Sequence, residues 1–323
     1  MTADLTLAID QGSRSTRAAV FDARGTLIAL TRQPVSLLRR GRNEIEQSPQ
    51  EILDSVQCVL GDILVHAAVD PARIRHAGLA TQRSSVLAWE RGSGRALSPV
   101  LSWQDTRTAE RLQALSTHQA EIRQRTGLRL SAHYGAGKLQ WLLEHDAATA
   151  AAYRAGTLAM GPLAGYLLQH LVEDGTPVVD HANAARTLLW NLERHDWDDR
   201  LLDLFAIPRA VLPACRDIIA EYGITRQGGI PLDAVNGDQT AALYAHGRPD
   251  PGSLRVNLGT GAFVLLPTGH QAQREPRLLT GISRSDATTA DYFLEGTING
   301  AGAALDWAVE RFAAPGWSQR LPA

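Results

Sequence analysis

Two distant stretches of this sequence share one pattern, in which an apolar strand, a short turn of glycine and hydroxyl residues and a second apolar strand follow one another. The first is LTLAIDQGSRSTRAAVFD, from Leu5 to Asp22, and the second is SLRVNLGTGAFVLLPTG, from Ser253 to Gly269. Turns of this kind present successive backbone N–H groups and hydroxyls, which bind phosphate oxygens well. The repeat predicts a duplicated α/β unit with a cleft between its two copies.

Each turn also has a simpler interpretation. The first is an ordinary hairpin if Asp10 accepts hydrogen bonds from its own turn, and an anion site if Asp10 instead holds Mg²⁺ through water beside bound phosphates. In the second turn, Gly259 and Gly261 mark either a bend in the strand or the close approach of a ligand to the backbone. Neither turn contains a Walker GK[ST] sequence or a GxGxxG dinucleotide motif.

Size and charge limit the classes of protein to consider. A chain of 323 residues, 44% of them apolar, is long enough for two domains. We place their boundary at the linker sequence RPDPG, which gives domains of residues 1–247 and 248–323. Lysine plus arginine number 32 against 34 for aspartate plus glutamate, so the net charge of -2 predicts no surface for nucleic acid or anionic membranes.

Targeting and redox signals are also missing from the sequence. No run approaches the ~18 apolar residues that a membrane span needs, and the N-terminus has no basic stretch followed by an apolar one. The two cysteines, Cys58 and Cys215, lie far apart and form no metal or redox pair. We expect a cytoplasmic protein with a small-molecule partner and neither nucleic acid nor membrane as a partner.

Hydrophobic periodicity predicts the elements that would carry the two turns. The strand candidates in the first part of the chain are Leu5–Ile9, Thr16–Phe21, Thr26–Leu30 and Ile74–Gln82. A helix is expected after Ser48, because Ser48 can cap it, Pro49 suits its first position and Glu51 completes a capping box. Residues 108–170 are predicted to be mostly helical, and GGIPLDAVNGDQTAALYAHG to form a strand, a sharp turn and the start of a helix.

Several polar residues follow predicted strand ends, where ligands of α/β proteins bind. Asp238 lies in the turn NGDQT, where a carboxylate is either a helix cap or a general base for an attacking hydroxyl. The others are Gln82, Arg83, Trp103, Gln104 and Asp105. They suit a polyhydroxy substrate, or else form a surface Arg–Asp pair beside a core tryptophan. We expect Glu295 to support local structure and assign it no role in chemistry.

In their order along the chain, the motifs resemble those of the FGGY carbohydrate kinases, and in particular the glycerol kinase branch. They are AIDQGSRSTRAAVFD, QRSS, SWQDTRTAE, HANAARTLLWNL, DWDD, IPRAVLPACR, GDQTAALY and LGTGAFVL. The resemblance extends from Leu5 to about Trp307, nearly the whole chain. It implies an α/β fold of duplicated actin-like, ribonuclease H-like domains, with mixed sheets flanked by helices, that close on ATP, Mg²⁺ and a small polyol or sugar.

The resemblance also implies roles for individual residues. Asp10 would lie near Mg²⁺ and the phosphates, and Asp238 would be the catalytic base. The phosphate-binding positions are Gly12, Ser13 and Arg17 in the first turn and Gly259, Thr260 and Gly261 in the second. The substrate-binding positions are Gln82, Arg83, Ser84, Trp103, His133, Asp238, Gln239 and Phe263. Dimers and tetramers are common in the family, so a homodimer or homotetramer is expected.

Three departures from the glycerol kinase pattern bear on function. Ser84 replaces a glutamate, and His133, with Tyr134 adjacent, replaces a tyrosine. Losing a carboxylate and a phenol that hold hydroxyls weakens glycerol recognition by a few kcal/mol, so we hypothesise a larger or differently substituted polyol or sugar. The third departure is length: the family continues beyond GAGAALDW, so we expect an incomplete second domain without the adenosine-binding segment. The loop YGITRQGGIPL is also too short for the family's control by a sugar bisphosphate.

Three functions are therefore weighed. The first is an ATP-dependent polyol or sugar kinase whose chemistry depends on Asp238. The second is a catalytically incomplete sugar- or nucleotide-binding remnant, or a truncated form, of such a kinase. The third is an actin-like filament protein, which the polyol-site residues disfavour. ATP turnover with a polyol panel separates the first two, and nucleotide-dependent sedimentation tests the third.

Overall fold

The structure, a computed structural model, describes residues 4–258 and 262–298 together with residues 304, 307, 308 and 311. The strands are β1 Leu5–Gln11, β2 Ser15–Asp22, β3 Leu27–Pro34, β4 Leu38–Arg39, β5 Ile45–Gln47, β6 Ile74–Thr81, β7 Val86–Glu90, β8 Val100–Leu101, β9 Leu158–Pro162, β10 Val178–Asp180, β11 Trp190–Asn191, β12 Asp196–Trp197, β13 Ala214–Arg216, β14 Ile219–Ile224, β15 Pro231–Gly237, β16 Arg255–Leu258, β17 Ala262–Gly269, β18 Leu279–Ser285 and β19 Ala290–Ile298. The helices are α1 Pro49–Leu64, α2 Ala109–Leu112, α3 Gln119–Thr126, α4 Gly135–His145, α5 Ala147–Arg154, α6 Leu163–Leu171, α7 His181–Ala185, α8 Asp199–Leu204 and α9 Asp238–Ala241. Within the described residues, no helix combines the length and the apolar character needed to cross a membrane.

A six-stranded mixed sheet, ordered β14-β15-β6-β1-β2-β3, carries the candidate site. Strand β1 pairs antiparallel with β2 but parallel with β6, and β6 is parallel to β15. The three parallel strands end level with one another, because Thr81 is in register with Gln11 on one side and with Gly237 on the other. Residues at and just beyond these ends therefore meet at one edge of the sheet, the edge where α/β proteins bind ligands.

Helix α1 begins at the predicted position and covers this sheet. The backbone N–H of Glu51 donates to the Ser48 hydroxyl at 3.2 Å, and Pro49 is the first helical residue. The capping box is incomplete, because the Glu51 carboxylate accepts from the backbone N–H of Ser36 instead. The apolar face of α1 packs on β2 and β3. Helical spacing predicts an apolar face of Ile52, Leu53, Val56, Val59, Leu60, Ile63 and Leu64; the first six are buried, and Leu64 at the end of the helix is half-buried.

The segment of residues 108–170 is less helical than predicted. Helices α2 to α6 lie in it, but strand β9 separates α5 from α6. All five residues of β9 are buried, and β9 pairs antiparallel with β7 at the edge of a second sheet, ordered β4-β5-β8-β7-β9. Burial on both faces removes the polar alternation of a strand, so its apolar run resembles a buried helix in sequence.

A four-stranded antiparallel sheet, ordered β16-β17-β19-β18, follows the linker. Strands β16 and β17 pair antiparallel, as β1 and β2 do, so both stretches of the predicted repeat contain an antiparallel pair of strands. The backbone N–H of Thr280 donates to the Gly127 carbonyl at 2.9 Å, and the Ser285 hydroxyl accepts from the backbone N–H of Ile218 at 3.0 Å. These bonds join the four-stranded sheet to the earlier part of the chain, and a domain boundary after residue 247 stays a prediction.

Candidate active site

Asp10 lies at the carboxyl end of β1, where the first turn begins. Its carboxylate is 3.5 Å from Nη1 of Arg17, the residue opposite it on β2. Burial raises the pKa of Asp10, and the charge of Arg17 opposes this rise. Gly12 closes the turn with a 3.0 Å bond from its N–H to the Ser15 carbonyl, and a Cβ on Gly12 would lie 3.3 Å from that oxygen. The Asp10 side chain is 43% exposed, and a carboxylate of this kind fits a hydrated Mg²⁺.

The first turn is hydrogen-bonded to residues predicted to bind substrate. The Trp103 indole N–H donates to the Ser13 hydroxyl at 2.8 Å, and the Gln47 side chain donates to the Ser13 carbonyl at 3.0 Å. The Ser13 hydroxyl in turn donates to the Gln82 amide oxygen across 3.4 Å. The structure therefore brings the predicted phosphate turn and the predicted acceptor site into direct contact.

Gln82 is fully engaged within the protein. Its amide nitrogen donates to Gln11 at 3.1 Å and Gln47 at 2.9 Å, and its amide oxygen accepts from Ser85 at 2.9 Å as well as from Ser13. A side-chain amide has two N–H groups and two acceptor positions, so every one of them is used. Gln82 is 1% exposed. The structure leaves no group of Gln82 for the direct substrate contact expected from the sequence, and it assigns this side chain to holding the loops together.

Asp238 is the first residue of α9, at the same edge of the six-stranded sheet. Its Oδ1 accepts from the backbone N–H of Gln239 at 2.6 Å and lies 3.8 Å from Nε of Arg83. Burial raises the pKa of Asp238; the charge of Arg83 opposes the rise, and the charge of Asp10 adds to it. The two aspartates are therefore within electrostatic range of each other, and the raised pKa makes Asp238 a stronger base.

Arg83 passes the end of β15 and reaches the four-stranded sheet. A Cβ on Gly237 would lie 2.5 Å from the Arg83 Cγ, so this approach needs a glycine. Nη1 of Arg83 donates to Oε2 of Glu295 at 3.1 Å, and Arg186 also donates to that carboxylate. Glu295 is 2% exposed. Although burial opposes it, the charges of Arg186 and Arg83 hold the pKa of Glu295 at about 2.

The bridge made by Glu295 is the main feature of the site that the sequence did not indicate. Glu295 was expected only to support local structure, and it proves to join β19 to two arginines of the preceding part of the chain. Its partners lie 212 and 109 positions away along the chain. Local pattern carries no information about such distant pairs, although an acidic residue inside an apolar strand is itself a signal, because buried carboxylates are almost always paired.

Ser84, Trp103 and His133 lie together on one side of the site, which we call the substrate wall. The rings of Trp103 and His133 meet edge to face with centroids 5.6 Å apart, and the Ser85 hydroxyl accepts from the Trp103 backbone N–H at 3.0 Å. Burial, and then the charge of Lys138, lowers the pKa of His133 to about 3. The imidazole is therefore neutral at pH 7, and the wall carries no charge of its own.

Ser84 has a strained backbone and an unpaired hydroxyl. Its φ of 64° lies in the left-handed region, which residues with a side chain adopt uncommonly. Its hydroxyl is buried without a hydrogen-bond partner among the described residues, and the residue is 2% exposed. Strained backbone of this kind clusters at functional sites, and an unpaired buried hydroxyl is costly unless a ligand pairs with it.

Tyr134 places a phenol in the site at a different point from the substrate wall. Its ring meets that of His133 edge to face, 5.1 Å away. Tyr134 is 4% exposed. Burial raises the pKa of its phenol, and the charge of Arg186 opposes this rise, so the phenol lies within electrostatic range of the bridge of Glu295 and its two arginines.

Asp105 faces away from the site, unlike the neighbouring Trp103. Its carboxylate accepts from the backbone N–H of Ile45 and from Arg107, both at 2.8 Å, and Arg107 also donates to Glu46 at 2.7 Å. Asp105 is fully buried. Asp105 was expected to face a ligand because it follows a predicted strand end. Its carboxylate instead stabilises a loop and does not face the candidate site.

The remaining candidates lie towards the four-stranded sheet. The Asn257 side chain donates to Oε1 of Gln239 at 2.9 Å and so joins β16 to α9. Phe263 is half-buried on β17, in register opposite Asn257. The second phosphate turn, Gly259, Thr260 and Gly261, lies outside the described residues and stays a prediction.

Residues 5–243 match the N-terminal domain of the FGGY family of carbohydrate kinases. The chain belongs to this family. Among its curated relatives, the glycerol kinase of Stenotrophomonas maltophilia (strain R551-3) is 36% identical over an alignment of 316 residues that covers 95% of this chain and 63% of that protein. The glycerol kinase of Xanthobacter autotrophicus (strain ATCC BAA-1158 / Py2) is 38% identical over 93% of this FGGY chain and 62% of its own length. The chain thus spans less than two thirds of the length of these relatives.

Solved structures support the same fold. The crystal structure of Plasmodium falciparum glycerol kinase with ADP matches with a TM-score of 0.91 at 25% identity, covering 98% of this chain and 65% of that one. The crystal structure of xylulose kinase from Rhodospirillum rubrum matches with a TM-score of 0.86 at 20% identity, covering 97% and 64%. These likenesses confirm the predicted mixed α/β, actin-like architecture of a sugar kinase.

Proposed function

We propose that this FGGY chain carries the acceptor site and the catalytic base of an ATP-dependent kinase that phosphorylates a hydroxyl of a polyol or sugar. The placement of Asp238 supports this most directly, because its carboxylate has a raised pKa, lies 3.8 Å from Arg83 and shares a sheet edge with Asp10. Phosphoryl transfer needs mainly positioning and charge stabilisation, together with one carboxylate that orients the attacking hydroxyl.

The residues of the site divide this work. Asp238 accepts the proton of the acceptor hydroxyl, Arg83 orients the acceptor, and Trp103 offers it a flat apolar face. Asp10 would hold Mg²⁺ beside the phosphates of ATP, and the bound ion would neutralise charge that develops on the phosphate oxygens. The phosphates would be bound by Gly12, Ser13, Arg17 and the turn of residues 259–261. The remaining substrate contacts would be made by Ser84, His133, Gln239 and Phe263.

The substrate wall favours an acceptor that is larger than glycerol or differently substituted. Its three side chains are an unpaired hydroxyl, an indole and a neutral imidazole. Neutral groups of this kind hold hydroxyls by hydrogen bonds and sugar faces by apolar contact, and they replace the carboxylate and phenol of the glycerol kinase pattern. The Ser84 side chain is also shorter than a glutamate and leaves more room at this point.

Release of ADP from ATP and Mg²⁺, measured with glycerol, xylitol, D-xylulose and D-gluconate, tests the proposal. We expect turnover with a five-carbon or larger acceptor, and a kcat lower by roughly 10²–10⁴-fold in D238N, because general-base catalysis contributes that much. The matched control is D203N on α8, which removes an aspartate away from the site. A D238N rate equal to that of the wild type would refute the assigned base, and glycerol as the clearly best acceptor would refute the substrate preference.

A second candidate is a sugar-binding module that does not turn over. The chain spans 63% of the length of a related glycerol kinase, which makes binding without catalysis the relevant alternative. A rise in Tm with an acceptor from the same panel, without ADP release, would favour it, because a ligand stabilises the folded state that binds it. The expected homodimer or homotetramer stays a prediction, which light scattering of the purified chain tests.

A further inference from the structure

Lys138 is the single lysine of the chain, against 31 arginines. The other side chains that stay positively charged near pH 7 are all arginines. Lys138 alone carries an ammonium group on its side chain. The residue is 0% exposed and lies in the first turns of α4. Gly135 lets this helix approach β7 closely, because a Cβ there would lie 2.9 Å from the Val86 side chain.

The ammonium of Lys138 is bound entirely by backbone carbonyls. Nζ donates to the carbonyl of Ser84 at 3.0 Å, of Ser102 at 2.8 Å and of His133 at 2.8 Å. An ammonium has three N–H groups and no acceptor, so all of its hydrogen-bonding capacity is used. Lys138 therefore has no donor left for a ligand and is not a catalytic residue.

The three carbonyls belong to the three loops of the substrate wall. Ser84 and His133 are themselves wall residues, and Ser102 directly precedes Trp103. The loops of Ser84 and Ser102 lie 54 and 36 positions from Lys138 along the chain. One ammonium group thus joins three segments that are far apart in sequence at the point where they line the site.

We propose that Lys138 is the positioning residue of the acceptor site, and that its ammonium sets the relative positions of Ser84, Trp103 and His133. The effect of this role on substrate binding rests on the proposed function. The joining of the three loops by Lys138 does not depend on the proposed function. A lysine suits the role better than an arginine, because an ammonium is a compact charge whose three N–H groups diverge, whereas a guanidinium is a flat fork.

The surroundings make the role sensitive to pH. Burial lowers the pKa of Lys138 to about 7, the charge of Asp105 raises it and that of Arg107 lowers it. His133, which also faces the ammonium, is neutral in this range. A neutral amine has two N–H groups in place of three, so deprotonation leaves one of the three carbonyls without its donor. The substrate wall should therefore loosen as the pH rises through the pKa of Lys138.

A single lysine allows a direct measurement that needs no enzymatic activity. Incorporation of [ε-¹³C]lysine into the full chain gives one side-chain NMR signal, which belongs to Lys138. We expect it to titrate well below the ordinary lysine pKa of about 10.4. A signal that titrates near that ordinary value and also shows the fast side-chain motion of a free lysine would reveal a solvated ammonium without carbonyl partners and would overturn the proposal.

Variants test the positioning itself. Hydrogen exchange is compared in the wild type, K138M, K138R and the control Q169M, whose side chain also joins buried segments, through Trp89 and Arg91, each at 2.6 Å. We expect amides in residues 83–85, 102–104 and 132–134 to exchange at least about tenfold faster in both Lys138 variants, because each loop loses a buried hydrogen bond. Q169M should leave these three segments unchanged. Equal exchange in K138M and the wild type would contradict the proposal.

The binding measurement separates this proposal from the proposed function. With xylitol as the probe, we expect a Kd at least about tenfold higher in K138M and K138R than in Q169M, because the wall residues no longer hold their positions. If the wild type binds no member of the acceptor panel while the three segments still exchange faster in K138M, the proposed function fails and the positioning role stands. If xylitol binds all variants equally, Lys138 does not position the acceptor site. Should K138M not fold, the NMR titration of the wild type still decides.

Discussion

The two sheets that meet at the candidate site differ in how completely they are covered. In the six-stranded sheet, Leu7 and Val20 are fully buried beneath α1 and its neighbours. In the four-stranded sheet, Val256, Leu258 and Ile298 are 52%, 74% and 56% exposed. The first sheet therefore holds its part of the site by apolar packing, which resists small displacements. The second has buried apolar residues of its own, Leu265, Ile282 and Phe293, but it is open along β16 and at the end of β19, and it contributes to the site chiefly through the buried charge of Glu295.

This difference shows which contacts set the distance between the two halves of the site. Asp10 lies near the end of β1, and Arg83 and Asp238 follow β6 and β15, all of them strands of the well-covered sheet. Glu295 comes from the other sheet and is bonded to Arg83 and Arg186. Hydrogen-bonded charges are directional, whereas apolar packing is not. The bridge therefore fixes where β19 lies relative to the predicted base, and the packing of the first sheet fixes the rest.

The largest effect is expected from breaking the bridge. E295Q leaves two buried guanidinium groups without a carboxylate, so we expect the free energy of unfolding to fall by about 3–5 kcal/mol. Urea unfolding followed by circular dichroism measures the change. The control is R111M, which removes a pair between Arg111 and Glu144 whose side chains are 42% and 38% exposed; a pair this exposed should contribute less than about 1 kcal/mol. Similar losses of stability in the two variants would show that the bridge contributes no more than an exposed ion pair.

The packing of the two sheets can be compared with a pair of truncations. L7A removes a fully buried side chain from β1 and should cost about 2–5 kcal/mol, through lost burial and the cavity left behind. V256A shortens a side chain of β16 that is 52% exposed and should stay within about 0.5 kcal/mol. Thermal unfolding of both variants measures the difference. If V256A destabilised the protein as much as L7A, the four-stranded sheet would be as well packed as the first.

The specificity of the substrate wall gives a smaller effect. S84E supplies the carboxylate that the glycerol kinase pattern has at this position, so we expect kcat/KM for glycerol to rise relative to D-xylulose by about tenfold, the size of one added hydrogen bond to an ionised group. S84A, which removes only the unpaired hydroxyl, is the control and should lower both values. An unchanged ratio in S84E would mean that Ser84 does not determine the choice of acceptor.

The smallest expected effect is a change with pH in the stability that the bridge contributes, and this effect depends specifically on the charge of Glu295. The pKa of Glu295 in the folded state is about 2, below the ordinary glutamate value of 4.5. A depressed carboxylate pKa stabilises the folded state above the unfolded-state pKa, and this stabilisation is lost as the pH falls towards the folded value. The stability difference between the wild type and E295Q should therefore narrow as the pH is lowered from 5 towards 3. If the difference stayed constant with pH, the loss of stability in E295Q would come from altered packing rather than from the lost charge.

Much of the six-stranded sheet was predictable because its signals are local. The cap at Ser48, the helical spacing that follows it and the alternation in β1 and β2 depend on neighbours a few positions away. The repeat of the strand-turn-strand pattern also located both antiparallel pairs of strands. Strand β9 was missed because burial on both faces gives it the appearance of a helix.

The predicted site depended more on the family resemblance, and what it missed was long-range. Local sequence could place Asp10 and Asp238 at strand ends, but it could not show that Gln82 is already saturated by Gln11 and Gln47. It gave no sign that Lys138, in a helix that otherwise reads as amphipathic, points its ammonium at three carbonyls. In each case the deciding partner lies tens of positions away.

The bond between Trp103 and Ser13 gives this chain an intrinsic optical reporter. An anion that accepts a hydrogen bond from the Ser13 hydroxyl polarises its O–H bond and leaves more negative charge on the oxygen, which strengthens the bond that this oxygen accepts from the indole, because linked hydrogen bonds polarise one another. Indole emission responds to such a change at the ring nitrogen. The side chain that lines the acceptor pocket should therefore change its fluorescence when phosphate groups occupy the neighbouring turn, so that filling of one half of the site is visible from the other.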